Sequence, residues 1–175
     1  MNKIMGVGIV LLFVVACVQP IKVMKINYQV LKDKDHKMLV GVVNRKLIAT
    51  DTAFAWFNDN LKYGQPDATA VDIFKKEKNN FSLIVFGGTW CEDTQNLLPK
   101  FYQLIDASGY PEKQISLLAV DRKKQTINNL NIRYNITNVP TFIVLKQGKE
   151  VGRVTEYGTK GDITKELSEI VVAKK

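Results

Sequence analysis

Cys91 stands between an apolar run and a helical repeat, and that position gives a thiol chemistry to do. The run Phe81–Phe86 is bounded by Asn79–Asn80 and Gly87–Gly88 and reads as a buried strand. After Cys91, apolar residues recur at Leu97, Leu98, Phe101, Leu104 and Ile105, the spacing of a helix running to about Ser108. A cysteine at such a strand-to-helix turn lies beside free backbone N–H groups and the positive end of the helix dipole, which both favour a thiolate. Glu92 and Asp93 bring negative charge and oppose ionisation, unless they do no more than favour the helix start. A thiolate so placed can attack a disulfide. Thr94, three residues on, offers a hydroxyl to the thiolate or is an ordinary helix position. The bland alternative for Cys91 is a small buried hydrophobe, a common fate of free cysteine.

The other function classes are weakly supported. Lys and Arg outnumber Asp and Glu by 25 to 17, a net charge of +8, but the basic segments alternate with acids and carry no recognition motif. A lysine-rich solvated surface is therefore expected, with no nucleic acid as partner. His36 is the single histidine, in Lys34–Asp35–His36–Lys37, and reads as an exposed loop residue rather than a metal ligand. With no Gly-rich phosphate loop and no Cys-x-x-Cys-His, neither metal nor cofactor is expected.

The elements that position Cys91 follow from the same patterns. Ile26–Leu31 alternates like a strand within a Lys/Asp-rich approach, and Met38–Val43 is a short β-branched strand. Thr50–Asp51 caps a helix with Phe54, Phe57 and Leu61 on one face and Trp56 adjacent, a stripe expected to pack on the sheet rather than line a cleft. Gly64 and Pro66 end it, and Asp67 caps a second helix with Ala70, Val71 and Phe74 inward. Pro99 falls within the helix after Cys91 and is expected to kink it. Ile115–Val120 is a second buried strand; Ile127, Leu130 and Ile132 suggest a short helix. Asn138–Leu145 and Val151–Val154 form a hairpin around the turn Lys146–Lys149, and Asp162 caps a last helix with Ile163, Leu167, Ile170 and Val171 inward. The alternation predicts an α/β fold, a mixed sheet covered on both faces, in one domain.

The first residues read as a targeting segment. Lys3 precedes the apolar stretch Ile4–Val15, too short to span a bilayer comfortably. It ends in Val14–Val15–Ala16–Cys17, which resembles the lipobox of bacterial lipoproteins, with Val where Leu is usual. That resemblance implies cleavage before Cys17 and lipid on it; an ordinary signal peptide or an uncleaved anchor is the alternative. It also implies residence in the bacterial cell envelope, lipid-anchored and facing the periplasm or the surface. Cys91 is then the one free thiol, in an oxidising compartment. The expected organisation is a signal peptide over 1–16, a linker over 17–37 and a domain over 38–175, with an extension over 38–80 before a core over 81–173.

Three features in order resemble the thioredoxin-like family. They are Trp90–Cys91 at the turn, Pro99 eight residues later, and Val139–Pro140–Thr141 ahead of a strand and hairpin. The resemblance covers Phe81 to about Val172. It implies a thioredoxin-like three-layer fold, with Pro140 cis beside the cysteine. It also implies a substrate groove lined by Trp90, Val139, Pro140 and Thr141. The departures are at the chemistry. Thr94 stands where the family has its second cysteine, Val85 where it has a buried acid, and Leu117 where it has that acid's lysine partner. The expected activity is monothiol exchange. Cys91 forms a mixed disulfide with a protein or small-molecule disulfide, Thr94 assists, and an external thiol resolves the product. The alternative is a redox-inactive binding module for an envelope partner. A peroxidase is disfavoured, because peroxiredoxin-like sites place Thr before the cysteine, not after it.

Overall fold

The computed structural model describes residues 24–34 and 36–173. The expected signal peptide and Cys17 lie outside the described residues. A six-stranded mixed sheet carries the fold, in the order β1-β2-β4-β3-β5-β6. Its strands are β1 Asn27–Asp33, β2 His36–Val43, β3 Ser82–Gly87, β4 Ile115–Ala119, β5 Thr141–Lys146 and β6 Lys149–Thr155. Only β3 and β4 pair in parallel, and the helix between them supplies the crossover that parallel neighbours need. All six residues of β3 are buried, as a central strand covered on both faces requires.

The two faces are unequal. Leu83 and Val85 of β3 point into a large core with α1 Arg45–Ala49, α2 Trp56–Asn60, α3 Ala68–Glu77, α4 Glu92–Ser108 and α6 Ile163–Val172. Ile84 and Phe86 face the other way, into a smaller cluster with Leu130 of α5 Leu130–Arg133, Ile127, Tyr134, Trp90 and Cys91. The helices thus lie on both faces, as the alternation of elements predicts. Phe54 and Phe57 are core residues, so the aromatic stripe packs rather than lining a cleft.

Local chemistry sets the helix ends. Asn44, Asp51, Asp67 and Asp162 each accept a hydrogen bond from a backbone N–H in the turn that follows. The helix expected after Thr50–Asp51 is divided into a 3-10 turn, Thr52–Phe54, and α2. Gly109 ends α4 in the left-handed conformation, with φ 62° and the Tyr110 N–H returning to Ile105 O at 3.1 Å. Pro99 lies inside the continuous α4, where it has no N–H for the carbonyl of Gln95. That carbonyl instead accepts Nδ2–H of Asn60 at 3.0 Å, so α2 satisfies the group that the proline leaves open.

The organisation before residue 38 differs from the expected linker. Residues 27–33 form β1, paired antiparallel with β2 from Asn27↔Val42 to Asp33↔His36. His36 opens β2 and is exposed. Gly41 is what lets the two strands approach: at φ 121° a side-chain carbon there would sit 2.4 Å from Asn27 O and 2.8 Å from Tyr28 Cα. The folded part of the chain therefore includes a hairpin, whose two strands match the alternation of Ile26–Leu31 and the β-branched run Met38–Val43.

Candidate functional site

The turn from β3 into α4 is closed by its own backbone. Cys91 is the N-cap of α4, and its carbonyl accepts the Gln95 N–H at 2.9 Å. The Cys91 N–H donates to Gly88 O at 2.9 Å, and Gln95 Nε2–H donates to Thr89 O at 3.0 Å. The Gly88 N–H donates to the Thr94 hydroxyl at 3.2 Å. Gly87 and Gly88 are needed for close approach. A side-chain carbon at 87 would lie 2.8 Å from Thr94 Cγ2, and one at 88 would lie 2.7 Å from the Trp90 ring.

The thiol lies half-buried at the mouth of this turn. Its S–H donates to the carbonyl of Val139 at 3.3 Å, and the Val139–Pro140 bond is cis, as the resemblance implied. Trp90 is half-buried beside it; its Nε1–H donates to Val120 O at 2.9 Å. Glu92 and Asp93 occupy the first turn of α4, at the end of the helix that favours negative charge. Val85 and Leu117, where the family has an acid and a lysine, are both buried in the apolar core.

The structure thus brings Cys91, Trp90, Val139 and Pro140 together. Thr94 is buried at 2% exposure, and its hydroxyl is engaged by the Gly88 N–H rather than by Sγ. Thr141 is also 2% exposed; it pairs with Phe86 on one side and Thr155 on the other, and its hydroxyl donates to Asn138 O. The carbonyl of Pro140 accepts the Glu156 N–H at 2.7 Å. The backbone of 140–141 is thus committed within the fold, and the exposed residue of that loop is Asn138.

Several participants at this rim were not singled out by sequence reasoning. The Arg122 guanidinium lies 5.0 Å from the Trp90 ring centroid, and its Nε donates to Asp33 Oδ2 at 2.7 Å. The Leu39 N–H donates to the Thr89 hydroxyl at 3.3 Å. Both contacts join residues far apart in sequence, so no local pattern announces them. The basic run Arg122–Lys124 directly after a buried strand was the available signal.

With the geometry in place, three comparisons bear on it. The family model described as Thioredoxin matches residues 67–169. A thioredoxin of Staphylococcus aureus is 29% identical over 100 residues, covering 57% of this chain and 90% of that protein. Thioredoxin H2 of Arabidopsis thaliana is 27% identical over 96 residues, covering 54% of this chain and 66% of that protein. Among solved structures, Fasciola hepatica thioredoxin matches with 26% identity and a TM-score of 0.40, covering 59% of this chain and 89% of that one.

Proposed function

Because the chain belongs to the thioredoxin family, we propose that it carries out thiol–disulfide exchange through Cys91 alone. The observation that carries this reading is the half-buried sulfur at the start of α4, 3.3 Å from the carbonyl that precedes the cis proline. The helix N-terminus stabilises the attacking thiolate. The sulfur is open to a client on its half-buried side, next to the half-buried Trp90. Cys91 attacks one sulfur of a client, the other leaves as a thiolate, and a mixed disulfide remains. Thr94 has no sulfur with which to complete the cycle, so a second, external thiol must attack the Cys91 adduct. Thr94 contributes by holding the turn through Gly88. Substrate contact falls to the half-buried Trp90; Val139 and Pro140, like Thr141, are buried, and they shape the loop whose exposed residue is Asn138.

The test is the full-length chain against its Cys91→Ser variant. Wild type is expected to trap a model disulfide as a covalent adduct, which mass spectrometry detects and added glutathione releases. Equal behaviour of the two proteins would refute the exchange reading and leave a binding module on the same fold. The Val14–Cys17 motif supports a home at the bacterial envelope surface, tethered by lipid on Cys17. Expressed in a bacterial host, the chain is expected to carry acyl chains on a mature N-terminal Cys17; an unacylated N-terminus would overturn that placement.

A further inference from the structure

The hairpin of β1 and β2 reaches past the sheet at the end where the thiol sits. Only Gly41–Val43 of β2 pair with β4, and Gly41 is already opposite Ala119, the last residue of β4. Residues 36–40 continue beyond that end, paired in the sheet with β1 alone. The overhang is fastened to the thiol turn at two points. Leu39 N–H donates to Thr89 Oγ1 at 3.3 Å, two residues before Cys91. Near the hairpin tip, Asp33 accepts from Arg122, which stacks on Trp90, the residue before Cys91.

We propose that this arm is the client-docking wall of the thiol site and that its basic rim selects disulfides flanked by acidic residues. The proposal rests on the exchange reading above and names the substrate class for that site. Lys32 and Lys34 flank Asp33, and Lys123 and Lys124 follow Arg122. Among the described residues, none of these four lysines has a carboxylate within salt-bridge distance. Among the described residues the acids beside them are occupied: Asp33 holds Arg122, and Asp121 Oδ1 accepts the N–H groups of Lys123 and Gln125. On the helix side of the sulfur, Glu92 and Asp93 supply the opposite sign. Cationic side chains thus outnumber the described acids on the arm side of Cys91, and the first turn of α4 on the other side is acidic. A client is drawn in by acidic residues lying over the arm. Such fields act over roughly 8–10 Å at physiological salt, so the lysines need not touch the reacting sulfur.

The test uses the full-length chain and three peptides, each with one cysteine blocked as a 2-pyridyl disulfide. They differ only in four flanking residues: all Asp, all Ser or all Lys. Cys91 attacks the peptide sulfur, and a new S–S bond joins the two cysteines. The electron pair of the broken bond leaves on pyridine-2-thiolate, which takes a proton from solvent and is read by absorbance. The Asp peptide is expected to react about tenfold faster than the Ser peptide at low salt, and the Lys peptide more slowly. The Asp-to-Ser ratio is expected to fall towards one at high salt, and in the variant Lys34→Glu/Lys123→Glu/Lys124→Glu. Equal rates for the Asp and Lys peptides at low salt, or a ratio that the triple variant leaves unchanged, would overturn the proposal while the exchange reading stands. No reaction of the Ser peptide beyond that of Cys91→Ser would overturn the exchange reading, and the proposal with it.

Discussion

Alkaline pH should unfold this protein through two tyrosines that the core holds neutral. Tyr102 and Tyr110 are 2% and 3% exposed. Burial pushes both phenols well above the ordinary value; for Tyr102 the charges of Glu112 and Asp106 add to this while Arg45 opposes it. A group whose pKa is raised by folding contributes stability that is fully present below its unfolded value, about 10, and lost as pH rises above it. In the unfolded chain each phenol ionises and gains about 1.4 kcal/mol at pH 11 and about 2.1 kcal/mol at pH 11.5, by proton linkage. The pair therefore removes roughly 4 kcal/mol by pH 11.5, a large part of an ordinary domain's 5–15 kcal/mol. The assay is equilibrium urea unfolding between pH 8.5 and 11.5 for wild type and for Tyr102→Phe/Tyr110→Phe. The Tyr110 hydroxyl also donates to Phe81 O at 2.8 Å, so its loss adds an offset independent of pH over most of this range. The slope is the readout, not the absolute stability. Wild type should lose roughly 4 kcal/mol more than the double variant over this range. Parallel curves would refute the reasoning, because lysine titration is common to both proteins.

Two further outcomes follow from the site and the arm. Thr94→Cys should let the protein release its own mixed disulfide: the adduct that wild type keeps until an external thiol is added should decay without one, as time-resolved mass spectrometry would record. The cost is the buried bond from the Gly88 N–H, about 1–2 kcal/mol of stability, and an adduct as long-lived as in wild type would contradict the geometry. Gly41→Ala should detach β1 from β2, because the new side chain would meet the backbone of Asn27 and Tyr28 in a conformation that alone costs about 1–2 kcal/mol. Hydrogen exchange should rise across residues 27–33 and 36–40 and stay unchanged in β3 and α4; uniform protection would refute it.

The parts of this fold that sequence made legible are those where a local rule had no competitor. β3 is six apolar-rich residues between turn signals, and Asp67 and Asp162 are single acids directly ahead of amphipathic repeats. α1 escaped notice because five residues are too few to show a period. The chain entering β1 has the alternation of Ile26, Tyr28 and Val30, but these side chains remain 47%, 36% and 52% exposed, so burial did not reinforce the signal. Gly41 inside a strand was the mark of a second backbone close by. Thr141 was read as part of a recognition loop because it follows Pro140, whereas sheet pairing on both sides draws it into the core. The chemistry at Cys91 was visible as type and spacing. Its surroundings were not: Arg122 and Asp33 meet across 89 residues, and Asn60 and Gln95 across 35.

Those distant contacts explain how the turn keeps its shape with one sulfur. In the dithiol pattern that the family resemblance supplies, position 94 would carry the second cysteine. Here a hydroxyl there accepts the Gly88 N–H, while Gln95 Nε2–H satisfies Thr89 O and Asn60 satisfies the carbonyl exposed by Pro99. Each bond closes a group that a strand-to-helix turn would otherwise leave open, and none of them requires a disulfide. A threonine at 94 therefore leaves intact the turn that presents Cys91. The β1–β2 arm, through Thr89 and Arg122, adds support from outside the turn itself. The presentation of Cys91 therefore rests on hydrogen bonds that do not depend on the oxidation state of a neighbour.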